Sequence, residues 1–235
     1  MIGSDANRGA DLLSLVRLLQ LASPALPVGA YSYSQGLERV VEDGIVHDAT
    51  TAQVWIGDVL ELVVARAEAP ILWRLVDAAE RGDWQRFKSW NEWFRASRET
   101  AELRAETEQM GGSLAKLARD LDLVDAEVGE IVDGLAPITL PASFALAARG
   151  FAIPREAALA AYLWAWLENQ VLAAVKLVPL GQVAGQRLLA SLAATIPAIV
   201  AAAIDRRDDD LSTFAPGFAI ASARHEMQYT RLFRS

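Results

Sequence analysis

The sequence predicts an all-α protein, a single-domain bundle of roughly nine or ten helices, and three observations carry that reading. Alanine and leucine dominate a composition that is 53% hydrophobic and only 22% charged, which favours helix and leaves ample apolar surface for a core. Prolines, glycines and capping residues punctuate the chain at helix-length intervals. No stretch alternates with the two-residue period of a strand. The 235 residues contain no solenoid-type repeat and no low-complexity linker, so one domain over 1–235 is expected, with flexible segments at about 1–10 and about 224–235.

The elements follow in order. Leu12, Leu15, Val16 and Leu19 recur at helical spacing until Pro24 and Pro27 break the chain. Thr50 with Gln53 reads as a capping box opening a helix to about Ala67, with Trp55, Val59, Leu62 and Val63 on one broad side. Pro70 suits the first turn of another helix that stops at Arg81-Gly82, and Asp83 can cap a third carrying Trp84, Phe87, Trp90, Trp93 and Phe94. Ser97 to Asp120 reads as a long charged helix kinked or broken at Gly111-Gly112. Helical spacing sets Arg98 beside Glu102 and Arg104 beside Glu108 there, the pattern of an exposed ion-paired face; Glu99 and Glu106 are read with it. Pro137 and Pro141 bracket the next start. Pro154 opens a long apolar helix through Trp164, Trp166 and Lys176. Pro179 resets the chain before a second apolar helix, expected to be buried, from about Leu180 to Ile204. A polar linker, Asp205 to Asp210, precedes a final helix and tail.

Several function classes are excluded or disfavoured. Lys plus Arg number 22 against 30 Asp plus Glu, a net charge of −8, which opposes nucleic-acid binding because that affinity rests on neutralising phosphates. The absence of cysteine removes disulfides, thiolate metal sites and thiol catalysis. His47 and His225 are too few and too far apart for a dedicated zinc or nickel cage, so neither a bound metal nor a cofactor is expected. There is no P-loop, dinucleotide fingerprint or nucleophile elbow, and no enzymatic activity is expected. His225-Glu226-Met227-Gln228-Tyr229 lacks the second histidine of a metalloprotease helix. Asp205-Arg206-Arg207-Asp208-Asp209-Asp210 leaves one alternative open, an isoprenoid-synthase-type all-α enzyme binding magnesium diphosphate, though two arginines and the lack of a second Asp motif favour a solvated linker. Asp11 and Arg17 interrupt the apolar stretch Leu12–Ala22, which reads as an amphipathic helix rather than a signal peptide. The apolar run Leu188–Ile204 contains Pro197 and falls short of a membrane span. The expected location is the cytoplasm.

Two constellations stand out. In Gln20 to Glu38, Pro24 and Pro27 deny helix, Gly29 permits a reversal, and Ser32 with Gln35 reads as a capping box for a helix containing Leu37 and Val40. Tyr31, Ser32, Tyr33 and Ser34 gather hydroxyls at that helix start, so the segment is either a rigid corner or a partner-docking surface. In Ala223 to Ser235, Arg224, His225, Glu226, Tyr229, Arg231, Leu232, Phe233 and Arg234 mix arginine with apolar side chains, the composition of interface anchors, against the alternative of a solvated tail.

Residues 18–38, 168–182 and 224–235 resemble, respectively, the N-terminal signature, central segment and C-terminal ending of the urease accessory protein family UreF. The resemblance spans essentially the whole chain. It implies an all-α, homodimeric, non-catalytic protein that binds UreD (UreH in some organisms) and recruits the GTPase UreG. That assembly meets apo-urease, and nickel is delivered in a step coupled to GTP hydrolysis. It implies partner-binding roles for Pro24, Pro27, Gly29, Tyr31, Ser32, Tyr33, Ser34, Gln35 and Glu38 and for the terminal residues named above, and it places Lys176 at a position connected with control of UreG. Lys176 stands alone in an apolar run, where an unpaired buried ammonium is costly, so it is expected to snorkel or to meet an acid such as Glu168. Gly181 and Gly185 are expected to admit close helix packing, within the chain or across a dimer. An orphan helical interaction domain with another partner is a further alternative.

Overall fold

The computed structural model describes residues 3–135 and 137–235. Residues 1 and 2, part of the segment expected to be flexible, lie outside it, as do the side chains of 3–8, 10 and 11. Twelve α-helical stretches follow one another: α1 Gly3–Leu21, α2 Leu37–Glu42, α3 Ala49–Val59, α4 Ala69–Arg81, α5 Trp84–Ala96, α6 Ala101–Asp120, α7 Ala126–Asp133, α8 Leu140–Gly150, α9 Arg155–Leu177, α10 Gln182–Ala193, α11 Ile196–Asp205 and α12 Pro216–His225. A π-helical segment, Leu60–Glu68, joins α3 to α4, and a single turn joins α10 to α11, leaving ten rods. The all-α reading holds: no strand occurs among the described residues.

The core forms around α4, α8 and α9. Ile71, Leu72, Leu75 and Val76 of α4 are buried, as are Leu159, Leu163, Leu167 and Val171 of α9. Between them α8 contributes small residues, Ala142, Ala145, Ala147 and Ala148, so neighbouring helices approach closely. Alanine thus serves helix propensity and close packing together.

Pro70 does not interrupt the rod that contains it. Proline lacks an N–H and crowds the carbonyl four residues back, here that of Arg66. The π-helical segment widens the helix just before Pro70, and the Ser212 N–H donates to the Arg66 carbonyl at 3.3 Å. Arg74 then donates to the Pro70 carbonyl at 2.9 Å. The helix expected from Thr50 instead is capped two residues earlier: Asp48 accepts from the Thr51 N–H at 2.8 Å, and Thr51 Oγ1 accepts from the Asp48 N–H at 3.1 Å.

The expected break at Gly111-Gly112 is absent, and α6 runs unbroken. Gly111 is required for contact. A Cβ there would stand 2.5 Å from the Thr139 carbonyl carbon, where the chain enters α8, and Ser143 Oγ donates to the Gly111 carbonyl at 2.6 Å. Gly112 faces open space. Likewise Gly185 packs α10 on α9, since a Cβ would meet Val175 Cγ2 at 2.6 Å; Gly181 has no such neighbour.

The second apolar helix is not buried as expected. Gln182–Asp205 is long and apolar enough to cross a membrane by length and composition, yet only 28% of its most apolar stretch is buried. It packs one side on α9, α3 and α4 and exposes the other. α1 also turns apolar residues outward, with Leu12, Leu15, Val16 and Leu19 exposed. A groove between them is lined by Leu19, Pro24, Trp164, Ile196 and Pro197.

The two adjacent glycines of α6 are expected to respond in opposite senses. Gly111→Ala should lower stability by about 1–3 kcal/mol through overpacking, whereas Gly112→Ala should raise it by about 0.5–1 kcal/mol through helix propensity. Chemical denaturation of both variants checks this.

Candidate functional site

The corner after α1 is built by backbone geometry. Pro24 and Pro27 are exposed on its outer side, and Gly29 takes the left-handed φ of +80° before a short 3-10 turn at Ala30–Ser32. Tyr33 is extended. Gln35 and Gly36 are then both left-handed, at φ +52° and +79°, and α2 begins. The capping box expected from Ser32 and Gln35 does not form. Ser34 Oγ accepts from the Glu38 N–H at 3.3 Å, and Gln35 turns away to other partners. A left-handed non-glycine residue stores strain that its surroundings must offset. Here the Gln35 amide donates to Glu106 Oε1 at 2.8 Å and accepts from the Trp166 indole N–H at 2.8 Å. Gly36 is needed because a Cβ would stand 3.1 Å from the Ser222 N, on α12.

The structure brings the two sequence constellations together. After α12 ends at His225, residues 226–235 run back across α6 and α2 to the corner. The centre of the contact is Glu38, which is buried. Its Oε1 accepts from the Leu232 N–H at 2.6 Å; its Oε2 accepts from the Phe233 N–H at 3.0 Å and lies 3.2 Å from His225 Nε2. His225 is fully buried, and its Nδ1 lies 2.7 Å from Glu102 Oε2. Both ring nitrogens face carboxylate oxygens, so the ring is held between Glu38 and Glu102. Arg231 donates to the other oxygen of Glu102 at 2.5 Å. Strand-like bonds close the end: the Arg234 N–H donates to the Ser32 carbonyl at 2.8 Å, and the Ser34 N–H and Oγ–H donate to the Ser235 main-chain oxygen at 2.7 and 2.6 Å. Ser235 Oγ donates to Glu106 Oε2 at 2.7 Å.

Other elements complete the site. Glu226 accepts from the N–H groups of Ala101 and Glu102 at 2.9 and 3.2 Å, capping α6 where free N–H groups favour an anion. Arg224 pairs with Asp43 at 3.1 Å. The Tyr33 hydroxyl donates to Gln109 at 2.8 Å, and Asn169 of α9 donates to the Tyr33 carbonyl at 3.0 Å. Lys176 is exposed, with its ammonium 5.7 Å from the Phe233 ring centroid, so it snorkels onto the docked tail. Behind the corner lies a cavity of about 110 Å³ whose polar wall is Gln35, Glu68, Arg98, Glu106 and Tyr162.

The tail anchors through polar contacts and the buried Phe233, and presents other apolar residues outward. Tyr31, Met227, Tyr229 and Leu232 are exposed, Tyr229 completely, and Arg224, Arg231 and Arg234 stand among them. That outer surface is aromatic, apolar and cationic on an acidic protein.

Sequence reasoning missed Glu102, Glu106 and Gln109, taking the α6 acids for a solvated face. Arg98 bonds Glu68 at 2.7 Å in the interior instead of Glu102, and Glu106 is buried. The signal was present: Leu103, Met110 and Leu114 mark the core side of α6, and Glu106 falls on it. The Asp205–Asp210 run is also engaged. Arg74, itself buried, donates through Nε to Asp208 at 2.7 Å and Arg207 pairs with Asp210 at 2.9 Å, so these carboxylates hold the linker to α4 and to itself. Among the described residues no cluster of three His, Asp or Glu is arranged to hold a metal ion.

The UreF family profile matches residues 46–193. The chain belongs to the UreF family. A urease accessory protein UreF from Azoarcus sp. strain BH72 is 58% identical over 97% of this chain and 99% of its own length. One from Janthinobacterium sp. strain Marseille is 53% identical over 94% and 98%. A bifunctional urease accessory protein UreEF from Bordetella bronchiseptica is 54% identical over 96% of this chain, which matches 53% of that longer protein. The UreF family is one of urease accessory proteins, and a corner–tail contact reaching outside the matched 46–193 segment at both ends is part of this member's fold.

Removing the Glu38 carboxylate orphans the buried His225 and two tail N–H groups. Glu38→Ala should cost about 3–5 kcal/mol, as when one partner of a buried charge network is removed, and should speed tryptic cleavage at Arg231 and Arg234 at least tenfold, which urea denaturation and limited proteolysis will measure. Cleavage as fast in the unsubstituted chain would mean that residues 224–235 are flexible without a partner.

Proposed function

We propose that this chain is a non-catalytic scaffold in maturation of the urease nickel centre. It acts in the cytoplasm, binds UreD (UreH), recruits UreG, and through that assembly meets apo-urease, holding neither nickel nor nucleic acid itself. The observation that carries the reading is the outer face of the docked tail. Tyr31, Tyr229 and Leu232 with the surrounding arginines form a pre-ordered surface of interface composition, and the ordering entropy that a free tail would lose on binding is already met by the clasp beneath. Membership of the UreF family supports the urease role, and the fusion in the Bordetella relative supports action alongside another accessory protein.

Self-association is the second part of the reading. The groove between α1 and α11 and the exposed side of α10–α11 are almost free of charge, which lets two copies of a protein of net charge −8 meet there without repulsion. Gly185 does not serve this contact, because its missing side chain is filled by Val175 of the same chain. The contact of Lys176 with Phe233 at the edge of the docked tail supports an influence of Lys176 on a GTPase bound there.

Size-exclusion chromatography with light scattering on the chain mixed with UreD and GTP-loaded UreG tests both parts. The unsubstituted chain should give a complex containing two copies of itself. The double variant Tyr229→Ala/Leu232→Ala, which leaves the clasp intact, should weaken complex formation at least tenfold, and Leu19→Glu should halve the mass of the isolated chain. Lys176→Ala should bind normally yet activate urease poorly. Full complex formation by the double variant would refute the tail-face reading.

A further inference from the structure

Beneath the clasp, besides Glu38 and Glu102, lies a third carboxylate that the docking surface does not use. Glu106 is buried on the core side of α6, at the polar wall of the cavity. Its two oxygens are engaged from opposite directions: Oε1 by Gln35 of the strained corner, and Oε2 by the hydroxyl of Ser235. Ser235 is the tail residue that covers it, held there by two bonds from Ser34. Among the described residues no cation is paired directly with Glu106. Arg98 is bonded to Glu68, which faces Glu106 from the π-helical segment as a like charge. From α9 comes the neutral Tyr162, bonded to Glu68 at 3.0 Å, and from the corner Tyr33, whose phenol burial and Glu106 both push up. Arg234 of the tail donates to Gln109, at 3.5 Å, and also bears on the Tyr33 hydroxyl, whose proton affinity it lowers, while Glu102, one turn back on α6, is matched by His225 and Arg231.

A carboxylate in such a place disfavours its own charge. Burial is the largest influence and raises Glu106 to about 7, the bonds from Ser235 and Gln35 opposing it, Glu68 reinforcing it and Arg98 opposing it. We propose that closure of the tail over α6 takes up a proton on Glu106, making the docked tail a pH-sensitive latch that loosens as pH rises. When the tail lifts, Ser235 leaves, the carboxyl meets water, and its proton affinity falls toward that of an ordinary glutamate. The sign follows from linkage. The contribution of Glu106 to docking is constant below the open-state value of about 4.5, falls as pH rises toward the closed-state value of about 7, and levels off above it. Those two limits give a docking constant about 30-fold smaller at about pH 8.5 than at about pH 5.5. The consequence for partner binding rests on the tail-face reading above, but the latch itself is a property of the isolated chain.

The chain has no cysteine, so a nitroxide on Leu232→Cys, whose side chain is exposed, reports tail mobility from a single site. The mobile fraction should grow across neutral pH with its steepest change near 7, and Glu106→Gln, a neutral isostere, should abolish that pH dependence and stay docked. A flat profile in the unsubstituted background, or the same transition in Glu106→Gln, overturns the proposal. Carboxyl NMR of the unsubstituted chain gives a readout that does not depend on the variant folding. A Glu106 midpoint near 7 matching the label transition supports the latch, and a midpoint below about 5 refutes it. Failure here leaves complex formation with UreD and UreG untouched, and failure there leaves the titration untouched.

Discussion

A carboxylate shut away from water persists only while donors fill its oxygens, and for Glu38 those donors come from residues 225, 232 and 233. This requirement ties the first residues of α2 to the end of the chain, across nearly two hundred residues of sequence. Glu102 and Glu106 extend the same dependence along α6, one matched by His225 and Arg231, the other covered by Ser235. The corner's shape follows as well, since the left-handed Gln35 is held by Glu106 and by Trp166. Three acids on two helices, Glu38 and Glu106 buried and Glu102 partly so, therefore fix where the tail lies, and the tail's outward residues take their positions from it.

The same logic operates at the opposite side of the molecule. Arg74 is buried, so it needs acceptors, and it finds Asp208, the Pro70 carbonyl and the Arg206 carbonyl. That contact pins the acidic linker after α11 beside the π-helical segment, where Ser212 answers the carbonyl that Pro70 leaves free. A run of aspartates that could suggest cation chemistry is thus part of the architecture.

Much of the fold was legible because helical punctuation is local. Pro154, Asp83 and Gly82 mark boundaries by their own backbone chemistry, and the structure places them at the N-cap of α9, the N-cap of α5 and the C-cap of α4. Misreadings arose where a local signal has two causes. Gly111 looked like a breaker, but it is small because the chain entering α8 lies against it. Pro70 does lie in the first turn of α4 as read, but the boundary it marks is hidden because the π-helical segment runs straight into it. The α6 acids looked solvated, because a Glu–Arg spacing does not reveal that Arg98 has a buried partner in Glu68 thirty residues away. For the site, both halves were visible as unusual composition at the two ends; their meeting was not, because it runs through backbone N–H groups that any residue carries.

The clasp is tested most directly by residue-resolved hydrogen exchange on the full chain. The amides of Leu232, Phe233 and Arg234 donate to Glu38 and to the Ser32 carbonyl, whereas Tyr229 is fully exposed. Protection of the first three by at least a hundredfold over Tyr229, lost together in a chain lacking the Glu38 carboxylate, is the predicted result. Equal, rapid exchange throughout 226–235 would contradict the account, because the tail would then not be held by the buried acids on which everything else here depends.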